Sequence, residues 1–182
     1  DISAEKLMKI VQDCQTDVHD FWSAYFYLHF YTVNTAKLSE NVWKEAEKML
    51  EQIQKYPQKE EYQKLVEADR INLYEREAEK GDDRKFLEET DRVFKENLRG
   101  DPAWKLYERK LVYLESKQPD ISGEFERFLK KYPKVMDAYV EYSIYLCRNN
   151  KMTQAQRVYR EGRKQTGMTS KRAEELRRKL GL

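Results

Sequence analysis

Residues 104–159 read WKLYERKLVYLESKQPDISGEFERFLKKYPKVMDAYVEYSIYLCRNNKMTQAQRVY. Within them the pair Trp104-x-x-Tyr107 returns 35 residues later as Tyr139-x-x-Tyr142. Rings three positions apart share one side of a helix, and Leu111 and Leu114 extend that side in the first copy, Tyr145 and Leu146 in the second. Each copy is followed by a second helical pattern. Ile121, Phe125, Phe128 and Leu129 precede the break at Tyr132-Pro133, and Ala155, Val158, Tyr159 and Gly162 precede Gly167. A period of this length predicts stacked helical hairpins, each too small to bury its apolar face alone. Alignment sets Trp104 on Tyr139, Tyr107 on Tyr142 and Leu111 on Leu146, with Phe125 one residue from Tyr159. The rings are expected to fill the space between hairpins, while the small residues Ala155 and Gly162 let helices approach.

The same signature is legible upstream as Trp22-x-x-Tyr25 and Tyr62-x-x-Leu65. Ser3 can cap a first helix carrying Leu7, Ile10, Val11 and Cys14, and Asp17 opens a second that runs to about Val33. Ser39 begins a third with the stripe Val42, Ala46, Met49, Leu50 and Ile53, ended by Tyr56-Pro57. Residues 58–80 read as one long helix carrying Tyr62, Leu65, Val66, Ile71, Leu73 and Tyr74 and closed by Gly81. Asp82 or Asp83 caps the next, which Gly100 follows, and Asp101-Pro102 is a strong start for the helix after it. The last helix, near Ser170 to Leu180, offers only Ala173, Leu176 and Leu180 against many charges, as a polar outer cap should.

The expectation is an all-α fold, a right-handed α-solenoid of antiparallel helical hairpins with about nine to ten helices. It treats 1–182 as a single helical-repeat domain with hairpins near 3–33, 39–80, 82–116, 120–148 and 153–180. The chain begins at Asp1 without Met and stops after a charged helix, and so reads as a piece of a longer protein.

On the second helix Trp22, Phe26, His29 and Val33 share a stripe expected to face the core, with Trp22, Tyr25 and Tyr62 packing between repeats. Tyr27 and Tyr31 project from the other side with Phe30 between, and these three form a candidate partner surface, since interface cores favour aromatic rings.

Of the 182 residues 40% are apolar and 37% charged, while Gly and Pro together number ten, a balance that favours helices over a sheet-rich fold. No window approaches the apolar length of a transmembrane helix, and the expectation is a soluble, intracellular protein without membrane contact. The net charge of +2 conceals a polarity. Glu60 to Asp91 holds twelve acids against six bases, net −6, and Asn150 to Leu182 ten bases against three acids, net +7. Arg157, Arg160, Arg163 and Lys164 gather on one broad helical face, and Arg177 and Arg178 continue the charge, a candidate contact for RNA or an acidic partner.

Catalytic chemistry finds no support. His19 and His29 do not share a turn, Cys14 and Cys147 have no metal-ligand spacing and read as buried, reduced residues, and no phosphate-cradling or nucleophile motif occurs. No enzyme activity, cofactor or metal is expected.

Trp104-x-x-Tyr107 and the run from Phe125-Glu126-Arg127-Phe128-Leu129-Lys130-Lys131-Tyr132-Pro133 to Ala155-Gln156-Arg157-Val158-Tyr159-Arg160 resemble the half-a-tetratricopeptide (HAT) repeat family. About two thirds of the chain fits the resemblance. The ordinary tetratricopeptide repeat fits the spacing too. It departs at Glu108 and Ser143, where that family usually has Gly, and at Tyr107 and Tyr142, where it prefers Leu. The HAT resemblance implies a non-catalytic scaffold among protein subunits of a nuclear, eukaryotic RNA-processing complex (splicing, 3′-end processing or ribosomal RNA maturation). The alternatives are a cytoplasmic peptide-binding adaptor and direct RNA binding through the basic helices, and a homodimer through a terminal hairpin is a further expectation.

Overall fold

The computed structural model describes residues 6, 9–11, 13, 18–34, 41–57, 59–96 and 100–182, without the side chains of 41–43, 101 and 102. The expected Ser3, Asp17 and Ser39 caps and Cys14 lie outside the described residues, as do the side chains of Val42, Asp101 and Pro102. Every regular element among the described residues is helical. The sequence read as a single domain; the chain divides into two compact units, Asp1–Glu89 and Thr90–Leu182, and the division falls inside a helix.

The first unit contains α1 (Phe21–Asn34), α2 (Asn41–Ile53), α3 (Glu60–Glu79) and the opening turns of α4 (Arg84–Lys95). Asp20 starts α1: its Oδ1 accepts the Ser23 backbone N–H at 2.7 Å, satisfying a donor that the first turn leaves free. On α2 the buried Ala46, Met49, Leu50 and Ile53 fall at i, i+3, i+4 and i+7, so that face meets α1 directly. The answering face of α1 is Phe21, Ala24, Tyr27, Leu28 and Tyr31, joined by Val66 and Leu73 of α3. This reverses the expected orientation of α1. Tyr31 is fully buried and Tyr27 nearly so, and burial, with the charge of Glu45 adding to it, pushes the Tyr31 phenol up to about 12.

The second unit takes the rest of α4, then α5 (Gly100–Glu115), α6 (Ser122–Lys131), α7 (Met136–Arg148), α8 (Met152–Thr166) and α9 (Lys171–Lys179). Gly100 lies beyond the end of α4 and is the first residue of α5, where a Cβ would stand 2.6 Å from Val135 Cγ2, so the bare backbone fits where a side chain cannot. Consecutive helices run antiparallel. Trp104 meets Phe128 (5.0 Å between centroids) while Lys110, a turn and a half later, reaches back to Glu124. Phe125 stacks on Tyr142 at 4.8 Å and 8°, and the Tyr145 hydroxyl accepts the Ile121 N–H at 3.0 Å. Ring pairs of this geometry contribute about 0.5–1.5 kcal/mol beyond the area they bury.

Alternate helices are parallel and joined by ion pairs. Arg148 of α7 holds Glu115 of α5 at 2.9 Å across 33 residues, and Arg127 of α6 holds Asp91 of α4 at 3.1 Å across 36. The turn between α7 and α8 places Asn150 at φ 58, a left-handed conformation that Asn tolerates. At the end of α8 Gly167 takes φ 82 and donates to the Arg163 carbonyl, closing the helix. Ser170 caps α9 by accepting the Ala173 N–H. Within α8, Gly162 is pressed so closely against α7 that an added Cβ would lie 2.6 Å from Tyr139 Cβ.

Candidate protein-docking surfaces

With Phe21, Leu28 and Tyr31 turned inward, α1 leaves Trp22, Phe26, His29 and Val33 outside as one exposed stripe. Phe26 is 60% exposed, Val33 55% and Trp22 51%. Trp22, expected to pack between repeats, meets Tyr62 (4.9 Å), Phe21 and Tyr25 edge-on while staying half-exposed; Phe21, one residue earlier, stacks on the Tyr62 ring and is buried. Tyr25 and Tyr62 are half-buried. The expected partner surface of Tyr27, Phe30 and Tyr31 is therefore corrected: the two tyrosines belong to the core, and Phe30 is half-buried against it.

A polar contact fixes this rotation. Asp69 of α3, only 2% exposed, accepts the Thr32 hydroxyl at 2.9 Å and stands 3.1 Å from His29 Nδ1. A buried carboxylate without such partners would cost several kcal/mol, so Thr32 must face α3 and Phe26 must face away. His29, expected in the core, is half-exposed and acts as the outer partner of that carboxylate. Burial, and secondarily the Asp69 charge, raises the Tyr25 phenol above its ordinary value. Sequence reading missed Asp69 because it lies 37 residues from Thr32, on a helix whose apolar residues are spread around its circumference.

In the second unit Trp104, Tyr107, Phe125, Tyr139, Tyr142, Ala155 and Tyr159 are all buried. Between Asp91, Glu124 and the Tyr107 hydroxyl lies Lys110, a lysine 4% exposed, with Nζ 2.8 Å from Asp91 and 3.0 Å from Glu124. Burial pushes the Glu124 carboxyl up, but hydrogen bonds from Tyr107 and Lys110 outweigh it and hold Glu124 below the usual range. Burial and the same carboxylate raise the Tyr107 phenol. Every member has a partner and none faces open solvent fully, so the cluster ties α4, α5 and α6 together rather than presenting a reactive group.

The basic residues separate into two sets. Arg177 donates to Glu174 and to the Leu182 carbonyl, and Arg178 lies 4.0 Å from Glu174, so both are engaged within the last turns. Arg157, Arg160, Arg163 and Lys164 are exposed on α8, with no hydrogen bond or ion pair among the described residues. Beside them Leu129, Val158, Tyr139 and Tyr142 line a groove of about 470 Å³, bordered by Lys130 and Arg157 and by Glu126 and Glu161. A second groove of about 430 Å³ contains Cys147, half-buried, whose thiol is pushed up by burial and so remains protonated near neutral pH.

Among the described residues no group of three or more His, Cys, Asp or Glu gathers as a metal would require, and no helix is long and apolar enough to cross a membrane. Comparison with protein-family models, curated proteins and solved structures gives no match.

Proposed function

We propose that the chain is a non-catalytic scaffold that holds partner proteins, and that within each unit its helices stack as hairpins of a right-handed α-solenoid. Ion pairs between alternate helices at separations of 33 and 36 residues support the repeat, as does the antiparallel order of α5 to α8. The exposed stripe Trp22, Phe26 and Val33 carries the scaffold reading. Three large apolar side chains along a helix held rigid from behind form the kind of patch that partners cover. The HAT resemblance adds the setting, a nuclear RNA-processing assembly. The test is affinity capture from nuclear extract with the wild-type chain and with Phe26→Asp. We expect RNA-processing subunits to be retained by the first and lost from the second at an unchanged melting temperature. Retention of the same proteins by both would overturn the docking role of the stripe, and a set without RNA-processing subunits would overturn the setting. If light scattering instead shows a dimer that Phe26→Asp reduces to a monomer, the stripe joins two copies of this chain.

A further inference from the structure

The exposed stripe of α1 has a spacing that docking alone does not require. Trp22, Phe26, His29 and Val33 follow one another at intervals of four, three and four residues, the rhythm by which one helix packs along another. At about 100° and 1.5 Å per residue the four lie within about 60° of the helix circumference, a narrow seam about 16 Å long. The buried Ala24, Tyr27, Leu28 and Tyr31 occupy the opposite side, and the Thr32 to Asp69 hydrogen bond helps to hold that side inward. The seam is therefore presented to solvent by a helix whose rotation is fixed.

Two features say what covers it. The helix has no Asp, Glu, Lys or Arg from Phe21 to Asn34, so a charged partner surface finds nothing on α1 to pair with. Two copies of α1, by contrast, meet without like-charge repulsion at the seam or along its shoulders Ser23, Tyr25 and Phe30. The seam is also complementary to itself in size when the two copies run antiparallel. About a twofold axis midway between Tyr27 and Leu28, Trp22 stands opposite Val33 of the second copy and Phe26 opposite its His29. The outer layers then pair the largest side chain of the seam with the smallest, and the inner layers pair two flat rings. Parallel copies would set Trp22 on Trp22 and Val33 on Val33, leaving one layer crowded and another hollow.

We propose that α1 joins two copies of this chain as an antiparallel pair along this seam. The proposal rests on the docking role of the stripe and names its occupant when no partner protein is bound. Trp22, Phe26, His29 and Val33 are each about half exposed. A ring buries about 150–250 Å² in full, so the four offer about 400 Å² per chain, half of the roughly 800 Å² of a standard interface. The dimer is accordingly weak, with Kd of roughly 10–100 µM, and a partner protein of higher affinity displaces it. Pairing and docking use the same side chains and exclude one another.

The test is sedimentation equilibrium of the full chain at pH 8 from about 1 to 300 µM, where the mean mass should rise from that of a monomer toward twice that value. Phe26→Asp should weaken pairing about tenfold or more by burying a carboxylate, and Val33→Trp likewise by opposing two indoles. Both should leave the melting temperature unchanged at about 1 µM, where the chain is monomeric. Combining Trp22→Val with Val33→Trp exchanges the members of the outer layers and should restore Kd to within about threefold of wild type, a rescue that a folding defect could not produce. A chain that stays monomeric throughout, a dimer insensitive to Phe26→Asp, a dimer strengthened by Val33→Trp, or an exchange that restores nothing would each overturn the proposal. The docking reading fails on separate evidence. Equal retention of nuclear proteins by wild type and Phe26→Asp, beside a dimer that behaves as expected, would assign the stripe to the second copy alone. Selective retention beside a strictly monomeric chain would keep the docking role and overturn the pairing.

Discussion

Helices α1 and α7 are both crowded with aromatic rings, yet they dispose of them differently. On α7, Tyr139, Tyr142 and Tyr145 are all buried because α6, α8 and α9 cover successive sides of it. On α1, Phe21, Tyr27 and Tyr31 are buried against α2 and α3, while Trp22 and Phe26 remain outside. An aromatic ring is thus neither a core residue nor a contact by its type; the number of neighbouring helices decides. Where the neighbours suffice, as on α7, rings act as internal spacers. Where they do not, the surplus becomes a surface.

The sharpest way to break this contrast is to truncate one tryptophan from each unit. Trp104→Ala should cost about 3–5 kcal/mol in urea unfolding, as a buried ring meeting Phe125 and Phe128. Trp22→Ala should cost about 1 kcal/mol or less. Equal losses would show that Trp22 is as deeply used as Trp104 and that α1 has no surplus.

A smaller effect is expected from Lys110→Met, about 2 kcal/mol at pH near 7, because it removes the buried cation between Asp91 and Glu124 and leaves Arg127 alone to face both. Burial raises both carboxyls, but Lys110 and Arg127 more than reverse this, so both titrate lower in the folded chain than in the unfolded one. Their contribution is complete above the ordinary carboxylate range, begins to be lost as pH falls into it, and is gone only below the lowered folded values. The difference between wild type and Lys110→Met should therefore shrink between about pH 5 and pH 3. A difference that stays constant across that window would assign the loss to packing of the lysine stem instead.

Thr32→Val should have the smallest effect, about 1 kcal/mol, by withdrawing one of the hydrogen bonds that satisfy Asp69. It also sharpens the comparison, since α1 is oriented by a polar pin where α7 is oriented by stacked rings. Increased burial of Phe26, read as slower quenching or reduced surface labelling in the variant, would show that the pin sets the rotation of α1. Unchanged exposure would leave the apolar contacts of Phe21 and Leu28 as its cause.

Much of the second unit was legible in the sequence, because most of its helices have a distinct apolar side and are bounded by Pro, Gly, Ser or Asn residues that stop or cap a helix. Trp104, Tyr107 and Leu111 lie at the spacing that a single buried face demands, and Ala155 and Gly162 mark where another helix comes close. On α1 the same rule fails. Its apolar residues surround the helix, so periodicity selects no side, and Trp22, the residue that best matched the repeat signature, is one place away from the one that stacks. The deciding residue, Asp69, is polar and distant in sequence. Lys110 was hidden for a related reason: its two carboxylates sit on other helices, 19 and 14 residues away, and a lone lysine beside an apolar stripe gives no sign of them. The groove on α6 to α8 was visible only in part, as Arg157 and Val158 without Leu129, Tyr139 and Tyr142, which other helices bring to it.

Gly162 has a consequence for anyone mapping this protein by random mutagenesis. The absence of a side chain there lets α8 settle against Tyr139, and that seating also sets the direction in which Arg157, Arg160 and Lys164 point from the opposite side of the same helix. A larger residue at 162 would rotate or lift α8, so a screen scored by binding would record a hit at a buried glycine that no ligand ever reaches. Genetic footprints on such a thin, two-faced helix identify hinges of alignment as readily as points of contact.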